Sequence, residues 1–307
     1  MMTDEQLMKR CLQLAANGLY GARPNPMVGA LLTAQGRIIG EGYHVRYGEG
    51  HAEVNCFDSV SSADEALLPE ATLYVSLEPC AHHGKTPPCA DLIVRKRVPR
   101  VVIGCIDPFA RVQGRGVAIL RQAGIDVTVG VLEAECRWLN RRFITYHAQH
   151  RPYIILKWAQ TANGFIDDHC RPLQISNEYT QMLSHQLRAE EDAILVGHTT
   201  DVREHPRLTV RHWNGPDPKR VVLTHDRPLP QLMDDLYQHV VQSLIVEGGR
   251  QTLQSFIDAA LWDEIRVETA PMTVTGGTPA PLVPPTASVL TRQDCAGHTL
   301  IRYVKAT

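Results

Sequence analysis

The chain has 307 residues, of which 44% are hydrophobic and 21% charged, so it is long enough for two domains and can fill a core in each. Lysine and arginine (31) nearly balance aspartate and glutamate (33), and no long basic run is present, which argues against a nucleic-acid partner. No apolar stretch approaches the ~20 residues that span a bilayer, and the polar start does not resemble a signal sequence. We therefore expect a cytoplasmic protein without a membrane partner.

The first half of the chain alternates short strands with helices. Thr3 and Gln6 have the spacing of a capping box, and Gly18 is expected to end the first helix. Strands are expected over residues 28–33, 38–43, 72–77, 101–106 and 126–129, and helices over 51–60, 88–97, 116–123 and 133–147. This order predicts an α/β fold in which helices cover both faces of a sheet.

A polar stretch at residues 146–152 separates this pattern from a second α/β series. Strands are expected over residues 153–158, 193–196, 220–223, 243–246 and 265–269, and helices over 178–188, 231–239 and 251–260. Residues 271–285 are rich in proline and glycine and predict a loop. We therefore expect two domains, residues 1–148 and 149–307.

The run His51-Ala52-Glu53, followed by Cys80 and Cys89, carries the strongest chemical signal. One imidazole and two thiolates are three good zinc ligands, and three protein ligands leave a fourth position for water, as in catalytic zinc sites. His-x-Glu followed by Pro-Cys matches the zinc deaminase signature, in which the glutamate carries protons and does not bind the metal. The pattern predicts one catalytic zinc per chain with Glu53 as the catalytic residue.

Other interpretations of these residues stay open. Cys80 and Cys89 could be buried thiols, which are common in protein cores. A closed structural zinc site would need a fourth ligand, which His82 or His83 could supply. Eight residues separate the two cysteines, whereas the signature has two.

The run from Leu77 to Cys89, LEPCAHHGKTPPC, resembles the deaminase domain of the bifunctional riboflavin-biosynthesis deaminase/reductase family. The resemblance extends to residues 24–29, to Gly42-Tyr43-His44, to Asp107-Pro108 and to Gly114-Arg115-Gly116. It implies a cytidine-deaminase-like three-layer α/β/α domain that deaminates a diaminopyrimidinone carrying a ribosylamino 5′-phosphate. In that reading His51, Cys80 and Cys89 hold zinc, Glu53 shuttles protons, and Asn25, His44 and Lys85 bind substrate.

Two of these substrate residues have simpler interpretations. Asn25 lies between two prolines and could be a turn residue, although its amide can also pair with a pyrimidine amide edge. Lys85 could be a solvated loop lysine or a point charge for phosphate. Phe109 stands where the family usually has an asparagine, so any ribose contact made by that asparagine is left open.

Residues 151–307 resemble the reductase half of the same family, a dihydrofolate-reductase-like α/β domain. The matching segments include residues 187–197, 206–211 and Val246-Glu247-Gly248-Gly249. The resemblance implies that NADPH reduces the ribose to a ribityl chain, with Arg188, Leu208, Arg211 and Glu247 at the substrate. The implied cofactor-contacting residues are Ala159, Thr200, Glu204, Gly249, Arg250, Gln251, Thr252, Leu253, Gln254 and Ser255.

The chemistry of this half is plausible on its own terms. A helix that begins after Gly248-Gly249 would offer N–H groups to a phosphate, and arginine can bind phosphate through two hydrogen bonds. The glycine pair could equally be a tight turn, and Arg188 and Arg211 could be surface residues.

Three departures from the family pattern affect the second half: Asn163, Gln174 and Glu204 stand where the family commonly has Asp, Trp and Asp. A second hypothesis is therefore an active deaminase joined to a reductase-like domain without turnover. A deaminase acting on nucleic-acid bases and a non-catalytic zinc module rank lower, because aromatic residues make up only 6% of the chain and a non-catalytic module would not need Glu53. We expect a small phosphorylated pyrimidine as substrate, zinc and NADPH as cofactors, and a homo-oligomer.

Overall fold

The computed structural model describes residues 2–81, 87–108, 114–171 and 173–306. Lys85, His82, His83 and Phe109 therefore lie outside the described residues. The contacts of the chain divide it into two units, Met1–Gln149 and His150–Thr307. Within the described ranges, none of the helices is long and apolar enough to cross a membrane.

The first unit is built on a five-stranded sheet in the order β2-β1-β3-β4-β5. Its strands are β1 (Gly29–Ala34), β2 (Arg37–Tyr43), β3 (Thr72–Leu77), β4 (Arg100–Cys105) and β5 (Asp126–Val129). Strand β1 is antiparallel to both β2 and β3, whereas β3, β4 and β5 are parallel. The helices are α1 (Asp4–Ala16), α2 (Ala52–Asp58), α3 (Cys89–Lys96), α4 (Arg115–Gln122), α5 (Glu133–Leu139) and α6 (Arg141–Gln149), with a 3-10 turn at Glu65–Glu70.

Helices cover both faces of this sheet because its central strands are apolar on both sides. Ala30 and Leu32 of β1 join the cluster that packs against α2, α3 and α4. Leu31 points the other way and joins the cluster that packs against α1 and α5. The result is a three-layer α/β/α unit, in which the carboxyl ends of β3 and β4 lie beside the starts of α2 and α3.

The single helix expected over residues 133–147 is wrong, because the structure has two helices that meet at Asn140. The Asn140 side chain accepts a hydrogen bond from the backbone N–H of Met27 and donates one to its carbonyl, each at 2.8 Å. This pairing fixes the chain just before β1. The two residues are 113 positions apart, so the hydrophobic periodicity of residues 133–147 could not predict it.

Helix α2 lies directly on the backbone of β2, where Gly42 has no room for a side chain. A Cβ atom at Gly42 would lie 2.3 Å from the backbone nitrogen of Cys56 and 2.6 Å from the carbonyl oxygen of Ala52. We expect Gly42→Ala to push α2 away from the sheet and to cost about 1–3 kcal/mol of stability, as overpacking does. Thermal unfolding with zinc analysis tests this, and an unchanged midpoint with full zinc content would contradict it.

The second unit contains a seven-stranded sheet in the order β11-β12-β10-β6-β9-β7-β8. Its strands are β6 (Tyr153–Gln160), β7 (Ala193–Gly197), β8 (Lys219–Leu223), β9 (Ser243–Gly248), β10 (Glu264–Thr269), β11 (Ala287–Cys295) and β12 (His298–Lys305). The helices are α7 (Glu178–Glu190), α8 (His198–Glu204), α9 (Leu229–Gln238) and α10 (Arg250–Asp258). The five strands β6 to β10 are parallel, and the β11–β12 hairpin continues the sheet in antiparallel fashion.

The sequence patterns missed α8 and the β11–β12 hairpin. Helix α8 has no buried residue and therefore no apolar stripe. Strand β11 is an edge strand with mostly exposed side chains, so its apolar and polar residues do not alternate cleanly. The expected loop at residues 271–285 contains no helix or strand.

Candidate active sites

Three predicted zinc ligands from three separate elements come together at the carboxyl end of β3. His51 is the N-cap residue of α2, Cys80 lies just beyond β3, and Cys89 is the first residue of α3. His51 Nδ1 lies 3.5 Å from Cys80 Sγ and 3.4 Å from Cys89 Sγ. In the part of the chain that the structure describes, this is the only cluster of three such ligand atoms within 4.8 Å of one another.

The geometry and chemistry of these three atoms fit a zinc ion. Zinc bonds of ~2.0 Å to nitrogen and ~2.3 Å to sulfur at a tetrahedral angle place the two ligand atoms about 3.5 Å apart. The observed distances agree with this value. Hydrogen bonds from Cys89 and His51 lower the pKa of the Cys80 thiol, which favours the thiolate form that a metal binds.

Glu53 lies in the first turn of α2, two residues after His51, and is 3% exposed. Burial, with a smaller contribution from the nearby Cys80 sulfur, raises the pKa of its carboxyl to about 7. A carboxyl group with this pKa can both accept and return a proton near neutral pH. The side chain thus has the position and the chemistry of a proton carrier beside the three ligands.

Asn25 and His44, which the resemblance placed at the substrate, lie together next to His51. His44 Nδ1 donates to the carbonyl of Gly50 at 3.0 Å, and its Nε2 accepts from the Asn25 amide at 3.0 Å. Burial lowers the pKa of His44, so the ring is neutral, and it contacts the His51 ring edge to face at 5.3 Å. The Asn25 side chain is therefore oriented by its hydrogen bond to His44, in addition to any role of Asn25 in the turn.

Glu78 is a residue of this region that the sequence patterns did not single out. Its buried carboxylate accepts backbone hydrogen bonds from Asp107 (3.3 Å), Gly114 (2.9 Å) and Val117 (3.2 Å). These contacts fasten the end of β4 and the start of α4 to the segment that leads to Cys80. Its place inside the Leu77–Cys89 motif was the only available signal.

The second unit contains a pocket of about 1010 Å³, formed at the carboxyl ends of its central strands. Most of the substrate and cofactor residues predicted in the second half of the chain line it: Ala159, Arg188, Thr200, Glu204, Arg211, Glu247, Gly249, Arg250, Gln251, Thr252, Leu253 and Ser255. Two do not. Leu208 is packed in an apolar cluster, and Gln254 donates to Asp258 along its own helix at 2.8 Å.

Glycines at the ends of β7 and β9 lie close to α10 and α8 around this pocket. Gly249 is the N-cap residue of α10, and its backbone N–H donates to Thr200 Oγ1 at 3.1 Å. A Cβ atom at Gly197 would lie 2.2 Å from Thr252 Oγ1, so a side chain at this position would require Thr252 to shift. The start of α10 therefore borders the pocket, where its N–H groups suit a phosphate.

Arg188 and Glu247 form a buried two-point ion pair on the pocket wall. Arg188 donates to the two carboxylate oxygens at 2.6 and 3.3 Å, and also to the carbonyl of Thr209 at 3.3 Å. Burial alone would raise the pKa of Glu247, but the positive charges of Lys157 and Arg188 hold it below its usual value. The Arg211 side chain is exposed and donates to Thr209 Oγ1 at 3.0 Å.

The three residues that depart from the family pattern have different positions. Asn163 does not line the pocket; its amide donates to the carbonyl of Val274 (2.7 Å) and accepts from the Val274 N–H (3.3 Å), a pairing that an ionised aspartate could not make. Gln174 lines the pocket and donates to the carbonyl of Ser176 at 2.8 Å. Glu204 also lines it and accepts from Arg203.

Three possible zinc ligands with a buried glutamate two residues after the histidine, on a sheet covered by helices, are the arrangement typical of zinc-dependent deaminases. The family model for the cytidine and deoxycytidylate deaminase zinc-binding region matches residues 1–105, and the model for the RibD C-terminal domain matches residues 152–232 and 227–302.

Relatives match both halves of the chain. It is 36% identical to the riboflavin biosynthesis protein RibD of Aquifex aeolicus over 87% of each sequence. It is 41% identical to RibD of Actinobacillus pleuropneumoniae over 83% of this chain and 68% of that protein. The crystal structure of a diaminohydroxyphosphoribosylaminopyrimidine deaminase/5-amino-6-(5-phosphoribosylamino)uracil reductase from Thermotoga maritima is 33% identical, with a TM-score of 0.91 and 98% of both chains covered.

The chain belongs to the RibD family of bifunctional deaminase/reductases of riboflavin biosynthesis. The expected family, the expected fold classes of both halves, and zinc and NADPH as cofactors are thereby confirmed.

Proposed function

We propose that residues 1–148 deaminate 2,5-diamino-6-ribosylamino-4(3H)-pyrimidinone 5′-phosphate and that residues 149–307 then reduce the ribosyl group of the product to a ribityl chain with NADPH. The observation that carries the proposal is the spacing of His51 Nδ1 and the two cysteine sulfurs, which suits zinc, together with the buried Glu53. The substrate class is taken from the name of the Thermotoga maritima relative, a diaminohydroxyphosphoribosylaminopyrimidine deaminase.

In the proposed deamination, His51, Cys80 and Cys89 hold zinc, which when bound supplies a nucleophilic water at neutral pH. Glu53 would accept a proton from the attacking water and would deliver it to the exocyclic amino group on the ring carbon, which leaves as ammonia. The Asn25 amide, oriented by the neutral His44 ring, pairs with the amide edge of the pyrimidinone. Lys85 is proposed as a charge for the substrate phosphate.

In the proposed reduction, NADPH supplies a hydride and solvent supplies the proton. The N–H groups at the start of α10 bind cofactor phosphate, with Thr200 and the residues from Gly249 to Ser255 around them. Arg188 and Arg211 bind the substrate phosphate, and Glu247 fixes the Arg188 guanidinium. Because Leu208 is buried in a core cluster, its part is to support the segment that carries Arg211.

The decisive experiment supplies the diaminopyrimidinone phosphate with and without NADPH and identifies the products by mass. We expect replacement of an amino group by oxygen without NADPH, and the further gain of two hydrogens with it. Deamination without NADPH oxidation would favour the second hypothesis, a reductase-like domain that does not turn over. Failure of both reactions would overturn the proposal.

The proposal also includes a cytoplasmic location and a homo-oligomeric state. Cell fractionation and light scattering of the purified full-length protein test them, and a membrane-bound or monomeric protein would contradict them.

Arg211→Ala is expected to impair reduction and to spare ammonia release. Each charge-assisted hydrogen bond lost from a phosphate costs roughly 1.5–3 kcal/mol, so the effect should appear mainly as a higher KM for the deaminated substrate. Arg292→Ala, an exposed arginine on β11, is the matched control and should leave KM unchanged. Equal KM values for the two variants would remove Arg211 from the substrate site.

A further inference from the structure

His185 is a buried histidine on the wall of the second unit's pocket, three residues before Arg188 on α7. It is 4% exposed and lines the pocket. Its Nδ1 atom accepts a hydrogen bond from the backbone N–H of Arg211 at 3.0 Å. Residues three apart on a helix lie on the same face. His185 and Arg188 therefore hold the segment from Thr209 to Arg211 from one side, His185 through the Arg211 N–H and Arg188 through the Thr209 carbonyl.

The contact with Arg211 fixes the tautomer of the His185 ring. A ring nitrogen that accepts a hydrogen bond carries no proton, so the proton of the neutral ring lies on Nε2. Among the residues that the structure describes, Nε2 of His185 has no hydrogen-bond partner, and Nδ1 makes the ring's only hydrogen bond. Because His185 lines the pocket, the Nε2–H of the ring is a donor that a ligand bound there can use.

The charges around His185 favour an anion at that donor. Arg188 faces it from the same helix, Arg211 and His212 face it from the 209–212 segment, and Glu247 faces it from β9. Glu247 is already paired with Arg188. Burial and the two arginines lower the pKa of His185 to about 4, so the ring stays a neutral donor near pH 7. A neutral donor close to the positive charges of Arg188 and Arg211 suits an anionic oxygen and not a cation.

We propose that His185 is a third donor of the substrate-phosphate site, where its Nε2–H binds a phosphate oxygen beside the Arg188 and Arg211 guanidinium groups. The Nδ1 end of the same ring positions the Arg211 backbone. This inference rests on the proposed reduction of a phosphorylated substrate by the second unit.

Two substitutions separate the two ends of the ring. In His185→Asn the amide oxygen can occupy the Nδ1 position and still accept from Arg211, but the Nε2 donor is lost. In His185→Gln the amide nitrogen can reach the Nε2 position and keep the donor. We expect His185→Asn to raise KM for the deaminated, phosphorylated substrate by roughly 10- to 100-fold, the range for a hydrogen bond to a charged group, with little change in kcat. His185→Gln should lie closer to the wild-type KM.

The measurement is NADPH oxidation by the full-length protein over a range of substrate concentrations, with kcat at saturating substrate recorded as a check that the second unit of each variant is folded. His239→Asn is the matched control, because this exposed histidine ends α9 and does not line the pocket. The dephosphorylated form of the deaminated substrate is a second control, since the His185→Asn effect on KM should disappear with it.

The outcomes distinguish this inference from the function on which it rests. A wild-type KM in His185→Asn, or an equal rise with the dephosphorylated compound, overturns the phosphate contact while leaving the reductase function intact. A fall in kcat at unchanged KM overturns it as well. If the wild-type protein does not oxidise NADPH with the deaminated substrate, the proposed reduction fails and the assignment of His185 fails with it.

Discussion

Replacing Glu53 by glutamine is expected to leave zinc in place and to slow ammonia release by roughly 10²- to 10⁴-fold, the usual loss when a proton-transferring side chain is removed. The amide has nearly the same shape as the carboxylate, so the buried space at the start of α2 stays filled. It can neither accept the proton of the attacking water nor deliver one to the leaving nitrogen. The three ligand side chains, His51, Cys80 and Cys89, are unchanged in this variant.

Metal analysis and an ammonia assay on the same preparation test this expectation. Glu135→Gln is the matched control, because Glu135 is an exposed carboxylate on α5 and is not part of the ligand cluster. Ammonia release at the parent rate by Glu53→Gln would make Glu53 a structural neighbour of the metal. Loss of zinc in that variant would show that the carboxylate also supports the ligand set.

The zinc ligands could be identified from sequence because they lie in short motifs at the ends of regular elements. His51 precedes a predicted helix and Cys80 follows a predicted strand, positions that a strand-helix-strand-helix unit could bring together. The central strands of both sheets could also be predicted from sequence, because their runs of apolar residues are long enough to be recognised. For the zinc ligands and the central strands, the local sequence pattern is therefore enough to predict where the residues lie.

Features that depend on distant contacts were not accessible in this way. Asn140 interrupts a helical pattern because of Met27, and Glu78 has its importance from backbone groups of Asp107 and Val117. In the sequence, His185 is one polar residue of an amphipathic helix, and only the structure shows its hydrogen bond with the Arg211 backbone N–H. In each case the partner lies at least 26 residues away, and no periodicity within one element records it.

Replacing Cys80 by serine is expected to abolish zinc binding and ammonia release together. The Cys89 N–H donates to Cys80 Sγ at 3.3 Å, and hydrogen bonds from its neighbours lower the pKa of the Cys80 thiol, which favours the thiolate that zinc binds. A serine hydroxyl does not ionise near neutral pH and is a poorer partner for zinc than sulfur. Added zinc should therefore raise the thermal unfolding midpoint of the wild-type protein and not that of Cys80→Ser, because only a metal that binds the folded state stabilises it.

This variant also tests whether the two activities occupy separate units. Among the residues that the structure describes, those that line the pocket of the second unit lie between Lys157 and Thr278, so Cys80→Ser should still oxidise NADPH when given the deaminated substrate. Cys170→Ser, which removes an exposed thiol outside the ligand cluster, is the control and should keep both zinc and ammonia release. Full zinc content in Cys80→Ser would exclude Cys80 as a ligand. Loss of NADPH oxidation along with zinc would mean that the second unit needs the metal-loaded first unit, because its own pocket residues are untouched by the substitution.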